Sequence, residues 1–176
     1  DTEAYTLEKP FFVMATQNTH EEVGTFPLPN SQLDRFMCSF GIGYPDNVSE
    51  RTILKGETTH QSLEYEALLT PEQIQTYMLR ASEVTMSDTL LDFIQEIIAY
   101  TRESGHFEYG LSTRGALALI AMMKSWAMMQ GRDYAIPDDI MMVTGIVCVH
   151  RLHFKEGQTT ALRIENEIFT HVHPDT

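Results

Sequence analysis

The chain has 176 residues, 43% of them apolar, and a formal net charge of −13. This length suffices for one or two small domains with a packed core. The acidic balance excludes a general nucleic-acid or anionic-membrane binder, because such partners require a basic surface. No apolar stretch approaches the roughly 20 residues that span a bilayer, so we expect no membrane insertion. The two cysteines, Cys38 and Cys148, are typical of free thiols in a reducing cytoplasm.

The first part of the chain predicts a small α/β unit. Residues 11–16 are an apolar run that leads to the amide of Asn18, a pattern typical of a strand covered on both faces. Asn30 or Ser31 is predicted to cap a short helix that runs through Phe36, and residues 37–42 predict a second short strand. Because two strands cannot form a stable, doubly covered sheet, we expect this unit to be the remnant of a larger core.

From residue 46 onward the pattern predicts helices only. A helix over residues 47–56 is followed by a polar loop, and four longer helices and a shorter terminal one, over residues 158–172, come after it. The starts of five helices carry recognisable signals: the cap Asp46, the capping pair Thr70 and Gln73, the caps Ser87 and Ser112, and Pro137 in a first helical turn. We expect a bundle of helices with short connections, preceded by a boundary near residues 45–60.

Two stretches resemble one protein family. Residues 11–36, FFVMATQN…GTFPLPNSQLDRF, resemble the MoxR family of AAA+ ATPases, and residues 112–140, STRGALALIAMMKSWAMMQGRDYAIPDDI, are similar to the helical lid of that family. The resemblance implies an α/β remnant of a P-loop AAA+ core over residues 1–45, a linker over 46–60 and an all-α helical lid bundle over 61–176. The chain contains no G-x-x-x-x-G-K-[ST] phosphate loop. The resemblance implies that this loop and the Mg²⁺-binding acids lie upstream of Asp1.

Asn18 is the first candidate site residue. An amide donates and accepts hydrogen bonds, so at the end of a central strand it can hold a water molecule beside a phosphate. The alternative is an asparagine that satisfies a turn. The resemblance implies the first role, which in AAA+ proteins is called sensor 1. The chain departs from the family at Thr19, where a proline is usual, and this alters the loop but keeps the amide.

Arg35 and Arg114 are the candidate cations. Arg35 is either a surface arginine, paired with Asp34 or with a helix end, or, as the resemblance implies, an arginine finger for a neighbouring subunit's ATP. Arg114 lies in the first turn of the helix that Ser112 caps, where a cation opposes the helix dipole at a cost of roughly 0.3–1 kcal/mol. Its position therefore indicates an anionic partner, which is a carboxylate or a phosphate. The resemblance implies a lid arginine that contacts nucleotide phosphate, called sensor 2.

Weaker candidates complete the set. Tyr44 lies at the expected hinge between core and lid, where either adenine packing or turn chemistry explains it. His150 and His153 have the spacing of neighbours on a helix, but neither they nor the C-terminal histidines have a third ligand, so the sequence predicts no metal site.

The resemblance implies an AAA+ ATP hydrolase that uses ATP and Mg²⁺, mainly through residues upstream of this chain. It further implies a homo-oligomer, a hexameric ring, that matures or assembles client proteins with von Willebrand A-type domains. On this interpretation the chain alone is inactive. Two alternatives stay open: a non-catalytic helical interaction module, and a nucleic-acid motor of the MCM type, which the acidic balance disfavours.

Overall fold

The computed structural model describes residues 5–17, 28–56 and 66–174, and the ordered elements within them are helices. They are α1 (Asn30–Leu33), α2 (Asn47–Leu54), α3 (Pro71–Glu83), α4 (Asp88–Glu103), α5 (Thr113–Met129), α6 (Pro137–Cys148) and α7 (Ala161–His171). The predicted bundle of helices is therefore confirmed.

Side-chain caps fix where the helices begin. Thr70 and Gln73 form the predicted capping box of α3: the Gln73 N–H donates to Thr70 Oγ1 at 3.3 Å, and the Thr70 N–H donates to Gln73 Oε1 at 2.7 Å. Ser87 and Ser112 cap α4 and α5 by accepting the N–H three residues on, at 3.1 and 2.9 Å. Asp46 caps α2 in the same way at 2.7 Å. These starts were predictable because each depends only on residues within one turn.

The hydrophobic core lies entirely within the bundle. α5 packs against α3 and α6, α6 packs against α7, and α7 contacts α4. Gly145 lets α6 and α7 approach closely, since a Cβ there would lie 2.1 Å from Glu165 Oε1 and 2.9 Å from Ala161 Cβ. The largest fully buried side chains include Ile94, Ile97, Leu119, Met123, Ile140, Leu152, Ile164 and Ile168.

Two short backbone bridges close the loops of the bundle. Thr85, in the link after α3, pairs with Tyr134 before α6, and Phe107 pairs with Phe154. The Ala135 N–H donates to Thr85 O at 2.9 Å, and the Glu108 N–H donates to His153 O at 2.8 Å. The bridges therefore hold the loops on each side of the core helices.

The predicted strands over residues 11–16 and 37–42 are not confirmed, because no described residue belongs to a strand. Residues 11–14 are exposed, and Met14 is 94% exposed. A strand needs a neighbour to satisfy its backbone hydrogen bonds, and no described segment forms a strand ladder with either stretch. The short helix also differs from its prediction: α1 spans Asn30–Leu33, begins after Pro29 without a side-chain cap, and gives way to a turn through Phe36.

Within the described residues, no helix combines the length and the apolar character that crossing a bilayer requires.

A buried ion pair ties the start of α6 to the preceding loop. Arg132 contacts both carboxylate oxygens of Asp139, with Nη1 donating to Oδ2 at 2.7 Å, and the Ile136 N–H donates to Asp139 at 2.8 Å. The Asp139 side chain is only 2% exposed. Burial by itself would raise the pKa of Asp139, but the hydrogen bonds from Arg132 and Ile136 outweigh it and hold that pKa below its usual value. Ionised Asp139 therefore stabilises the fold.

We expect Asp139→Asn to lower the free energy of unfolding at pH 7 by about 1–3 kcal/mol, because a carboxamide places an N–H against the Arg132 donors. In the parent chain the contribution of Asp139 is full above pH about 4, the ordinary value for aspartate. It is lost as pH falls through the lowered pKa. Urea unfolding at pH 7 measures the loss, with Asp138→Asn as the control, since Asp138 is exposed in the same helical turn. Equal effects of the two substitutions would contradict this role.

Candidate functional site

The candidate site lies where the turn after α1 meets the start of α5 and the end of α6. Four side chains meet there, which we call the arginine hub: Asp34, Ser112, Arg114 and Arg151. Asp34 is the shared partner of the other three. The structure thus brings the predicted Arg114 to the residue that directly precedes the predicted Arg35.

Ser112 links the cap of α5 to this carboxylate. Its hydroxyl accepts the Gly115 N–H at 2.9 Å and lies 3.0 Å from each Asp34 oxygen, to which it donates. Arg114 approaches the same carboxylate from the first turn of α5, with Nη1 3.7 Å from Asp34 Oδ2. The Arg114 side chain remains 56% exposed. An ion pair at that distance and exposure contributes little to stability, so Arg114 remains accessible to a second anion.

Arg151 is the buried member of the hub, with a side chain only 3% exposed. Its Nε donates to Asp34 Oδ1 at 3.0 Å. Nη2 donates to the carbonyl oxygens of Asp34, at 3.2 Å, and Phe36, at 2.5 Å. Nη1 donates to Met37 O at 3.1 Å and to Val147 O. The five N–H donors of the guanidinium group thus have five acceptors, as burial of a permanent charge requires.

Gly115 makes room for the Arg151 stem against α5. A Cβ at Gly115 would lie 2.6 Å from Leu111 Cδ1 and 3.0 Å from Arg151 Cδ. Since the Arg151 head is held by its acceptors, the stem has little freedom to move aside. A β-carbon at this position would therefore displace the Leu111 side chain and crowd the Arg151 stem.

Arg35 is exposed, and no described residue accepts a hydrogen bond or an ion pair from its side chain. Arg35 does not pair with Asp34, which was one of its two alternative roles. The Asp34 carboxylate instead contacts the other members of the hub. The backbone of Arg35 is nevertheless fixed, since the carbonyl oxygens on both sides of it are held by Arg151.

His150 and Ser39 extend the contact between the turn and α6. His150 Nε2 lies 3.0 Å from Phe36 O, and the Ser39 N–H donates to Ile146 O at 2.8 Å. Burial is the largest cause that lowers the pKa of His150, so the ring is neutral near pH 7 and Nε2 carries the proton that it donates. The predicted helical placement of His150 and His153 is wrong: α6 ends at Cys148, His150 lies in the turn that follows it, and His153 lies in the irregular segment after that turn.

The other two candidates lie apart from the hub. Tyr44 follows Gly43, which has φ of +73°, and precedes α2, with its side chain 87% exposed. No hydrogen bond within the described chain joins it to the hub. Asn18 lies outside the described residues.

The local charge is opposite to that of the whole chain. Arg114 and Arg151 contact one carboxylate, that of Asp34, and Arg35 is the next residue along the chain, whose net charge is −13. Two of the cations are exposed, so the hub presents a basic spot that suits an anion such as a phosphate or a carboxylate. Among the described residues, no group of three or more His, Cys, Asp and Glu side chains could hold a metal ion.

Sequence reasoning missed Asp34 and Arg151 as members of the site. A signal for Arg151 was present: residues 146–152 are apolar except for His150 and Arg151. A charge within an apolar run indicates a buried side chain that needs a partner. No such signal marks Asp34, which looks like any acidic residue of a turn.

Two family descriptions match the chain. Residues 1–38 match the ATPase family associated with various cellular activities (AAA), and residues 99–170 match the AAA lid domain. The second match contains most of the bundle and three members of the hub, and the first contains Asp34.

The chain is also similar to individual proteins. It is 37% identical over 147 residues to the uncharacterized protein YeaC of Bacillus subtilis, which covers 83% of this chain and 46% of YeaC. It is 32% identical over 166 residues to Chaperone MoxR1 of Mycobacterium tuberculosis, and the match covers 84% of this chain and 41% of MoxR1. The crystal structure of a putative ATPase from Cytophaga hutchinsonii superposes with a TM-score of 0.83 at 30% identity, covering 98% of this chain and 56% of that one. The chain spans less than half the length of both curated relatives.

We expect the contact between the turn and α6 to weaken below pH 6.5. Because the pKa of His150 is lowered in the fold, the unfolded chain binds more protons between pH 6.5 and that lowered value. The stability that neutral His150 supplies is therefore full above pH 6.5 and is lost as pH falls. Unfolding at pH 7.5 and 5.5 measures the difference.

The variant His150→Gln keeps a donor for Phe36 O but does not titrate, so it should lose less stability than the parent chain between these two pH values. His173→Gln, at an exposed histidine, should behave as the parent. An unchanged pH dependence in His150→Gln would show that this contact does not titrate.

Proposed function

The chain belongs to the MoxR-type AAA+ ATPases, and from that premise we propose that it supplies the arginine finger, the sensors and the helical lid of an ATP hydrolase. The observation that carries the proposal is the arginine hub, where exposed Arg114 contacts the carboxylate of Asp34 and the next residue, Arg35, is exposed and unpaired within the described chain. Such cations suit a phosphate, which needs positioned positive charge more than covalent chemistry.

We propose the division of the chain given by the resemblance: the end of an α/β core over residues 1–45, a linker over 46–60 and the lid over 61–176. The distribution of buried residues supports it, since every buried side chain among the described residues lies at Ala81 or beyond. The exposed apolar residues 11–14 are suited to a strand that is completed by core strands outside this chain.

Arg35 is the proposed arginine finger. Its side chain is exposed and unpaired within the described chain, while its backbone is held on both sides. A planar, permanently charged group on a fixed backbone is suited to stabilise charge on a phosphate of a neighbouring subunit. Bound ATP supplies the phosphoryl group that is transferred to water.

In the full-length protein we expect Arg35→Ala to keep ATP binding but to lower kcat by about 10³-fold or more, because arginine fingers contribute to the transition state. Steady-state hydrolysis and a nucleotide-binding titration separate the two effects. Arg80→Ala, at an exposed arginine of α3, is the control and should keep kcat. A kcat of Arg35→Ala near that of the control would remove the finger assignment.

Arg114 is the proposed sensor 2 of the lid. Its position in the first turn of α5 opposes the helix dipole, and its ion pair with Asp34 is long at 3.7 Å and exposed. A phosphate would be a stronger partner than this shared carboxylate, since it offers more acceptor oxygens and charge. Arg114 therefore serves to hold nucleotide phosphate, in its own subunit or in its neighbour.

We expect Arg114→Ala in the full-length protein to weaken ATP binding about tenfold or more, as loss of a charged hydrogen bond worth about 1.5–3 kcal/mol implies. Arg114→Lys should retain part of the affinity. The dissociation constant of ATP measures this, and Arg102→Ala, whose side chain instead donates to Leu111 O, is the control. An unchanged constant in Arg114→Ala would exclude this role.

Asn18 and Tyr44 have supporting roles in the proposal. Asn18 is the proposed sensor 1, which would orient the attacking water through its amide. Tyr44 is proposed to pack beside adenine at the hinge, and its 87% exposure leaves its ring open for such a contact. From the family, we propose that Mg²⁺ is held by acids outside this chain.

The proposed finger acts on a neighbouring subunit, so we propose a homo-oligomer and, within this family, a hexameric ring. The name of the relative Chaperone MoxR1 supports a chaperone-like role, and we propose clients with von Willebrand A-type domains. The unpaired thiols of Cys38 and Cys148 are consistent with a reducing cytoplasm.

A non-catalytic helical interaction module is the second candidate function, and it rests on the packed bundle, which holds the whole described core. Sequencing the gene upstream of Asp1 separates the two. A phosphate loop there supports the ATPase, and its absence supports the interaction module.

A further inference from the structure

We propose that Arg151 is a positioning residue for Arg35, through which the lid sets the geometry of the arginine finger. The inference rests on the proposed function, because it assumes that Arg35 acts on a phosphate. It concerns Arg151, whose buried guanidinium group contacts the carbonyl oxygens of Asp34 and Phe36 and has no contact with the Arg35 side chain, so that it acts on Arg35 through the backbone.

The hydrogen bonds of Arg151 bracket Arg35. Nη2 holds the carbonyl oxygen of the residue before it, Asp34, at 3.2 Å and that of the residue after it, Phe36, at 2.5 Å. Nη1 adds the carbonyl oxygen of Met37 at 3.1 Å. The Asp34 carbonyl belongs to the peptide unit that precedes Arg35, and the Phe36 carbonyl belongs to the unit that follows Phe36. In the unit between them, the Phe36 N–H donates to Leu33 O at 3.0 Å. Arg151 therefore restrains the backbone on each side of Arg35.

Arg151 itself is anchored in the lid. It lies in the turn after α6, it donates to Val147 O within that helix, and its stem lies against Gly115 of α5. The α5–α6 contact belongs to the hydrophobic core. With a side chain only 3% exposed, Arg151 transmits the position of these two helices to the turn that carries Arg35.

The Arg35 side chain has no such restraint of its own. It is exposed, and no described residue pairs with it. Its reach toward a neighbouring subunit is therefore decided by the backbone from which it starts. Because a misplacement of about 1 Å in a catalytic group can cost about 10²-fold in rate, a support of this kind affects turnover without touching the nucleotide.

Asp34 links Arg151 to the start of α5. Its carboxylate neutralises Arg151 at 3.0 Å and also contacts Ser112 and Arg114 at the start of α5. The proposed sensor of the lid and the proposed finger thus share one residue. A shift of the lid moves both together, so the position of the lid and the reach of the finger are coupled.

The test is a double-mutant cycle in the full-length protein. Arg151→Lys keeps the positive charge beside Asp34 and most of the stem, but a single ammonium group cannot span the carbonyls of residues 34, 36 and 37. We expect it to lower kcat about 10²-fold and to change the dissociation constant of ATP by less than about threefold. In an Arg35→Ala background the same substitution should change kcat by less than about twofold, because its target is already gone.

Arg163→Lys is the matched control. Arg163 is another lid arginine that donates to two backbone carbonyls, those of Glu156 and Gln158, at 2.9 and 2.8 Å. It should leave kcat unchanged. Arg151→Gln is carried through the same cycle as a neutral second variant, so that the result does not depend on one substitution. Melting temperature and oligomer size are recorded for each variant.

A structural readout accompanies the kinetics. The Ser39 amide, which donates to Ile146 O, should exchange with solvent about tenfold faster in Arg151→Lys, because the turn is released from α6. It should be unchanged in Arg163→Lys.

The outcomes separate the two proposals. If Arg35→Ala keeps full kcat, the finger assignment fails, and the positioning role fails with it. If Arg35→Ala lowers kcat but Arg151→Lys does not, or if the two substitutions lower kcat additively, the finger stands and the positioning role is overturned.

Discussion

The buried charge of Arg151 is the constraint on which the candidate site depends. A guanidinium group does not lose its proton in a protein, and without acceptors its burial would cost several kcal/mol. Only one of its five acceptors, Val147 O, lies in the helix that precedes it; the others belong to residues 34–37. The bundle therefore cannot close around Arg151 unless the turn after α1 docks upon it.

This requirement explains how a segment without buried residues of its own keeps a defined place. Residues 28–56 contribute no side chain to the hydrophobic core. They are held by polar contacts: the carboxylate of Asp34, three backbone carbonyls and the Ser39 N–H. Hydrogen bonds to charged groups are directional and stronger than neutral ones. They define the position of the segment without the area of a packed interface.

The same contacts concentrate positive charge where the proposed function needs it. The carboxylate of Asp34 contacts buried Arg151 at 3.0 Å and exposed Arg114 at 3.7 Å, and it makes no contact with the Arg35 side chain. Arg35 and Arg114 therefore remain exposed and can bind an anion, although the chain has a net charge of −13. Specific recognition of phosphate at one spot is compatible with this arrangement, whereas general binding of nucleic acid requires a wider basic surface.

The sequence by itself determined what depends on neighbours along the chain. The capping box of Thr70 and Gln73 and the caps at Ser87 and Ser112 lie within one helical turn of the amides they serve, so these helix starts could be predicted, and so could the misplaced charge of Arg114. Tertiary structure decided which acid meets that charge. Asp34 and Arg151 are 117 residues apart in sequence, and no local pattern encodes their contact. Tertiary structure also decided that residues 11–16 form no strand in this chain. A strand exists only beside another strand, and the propensity of one segment cannot supply its partner.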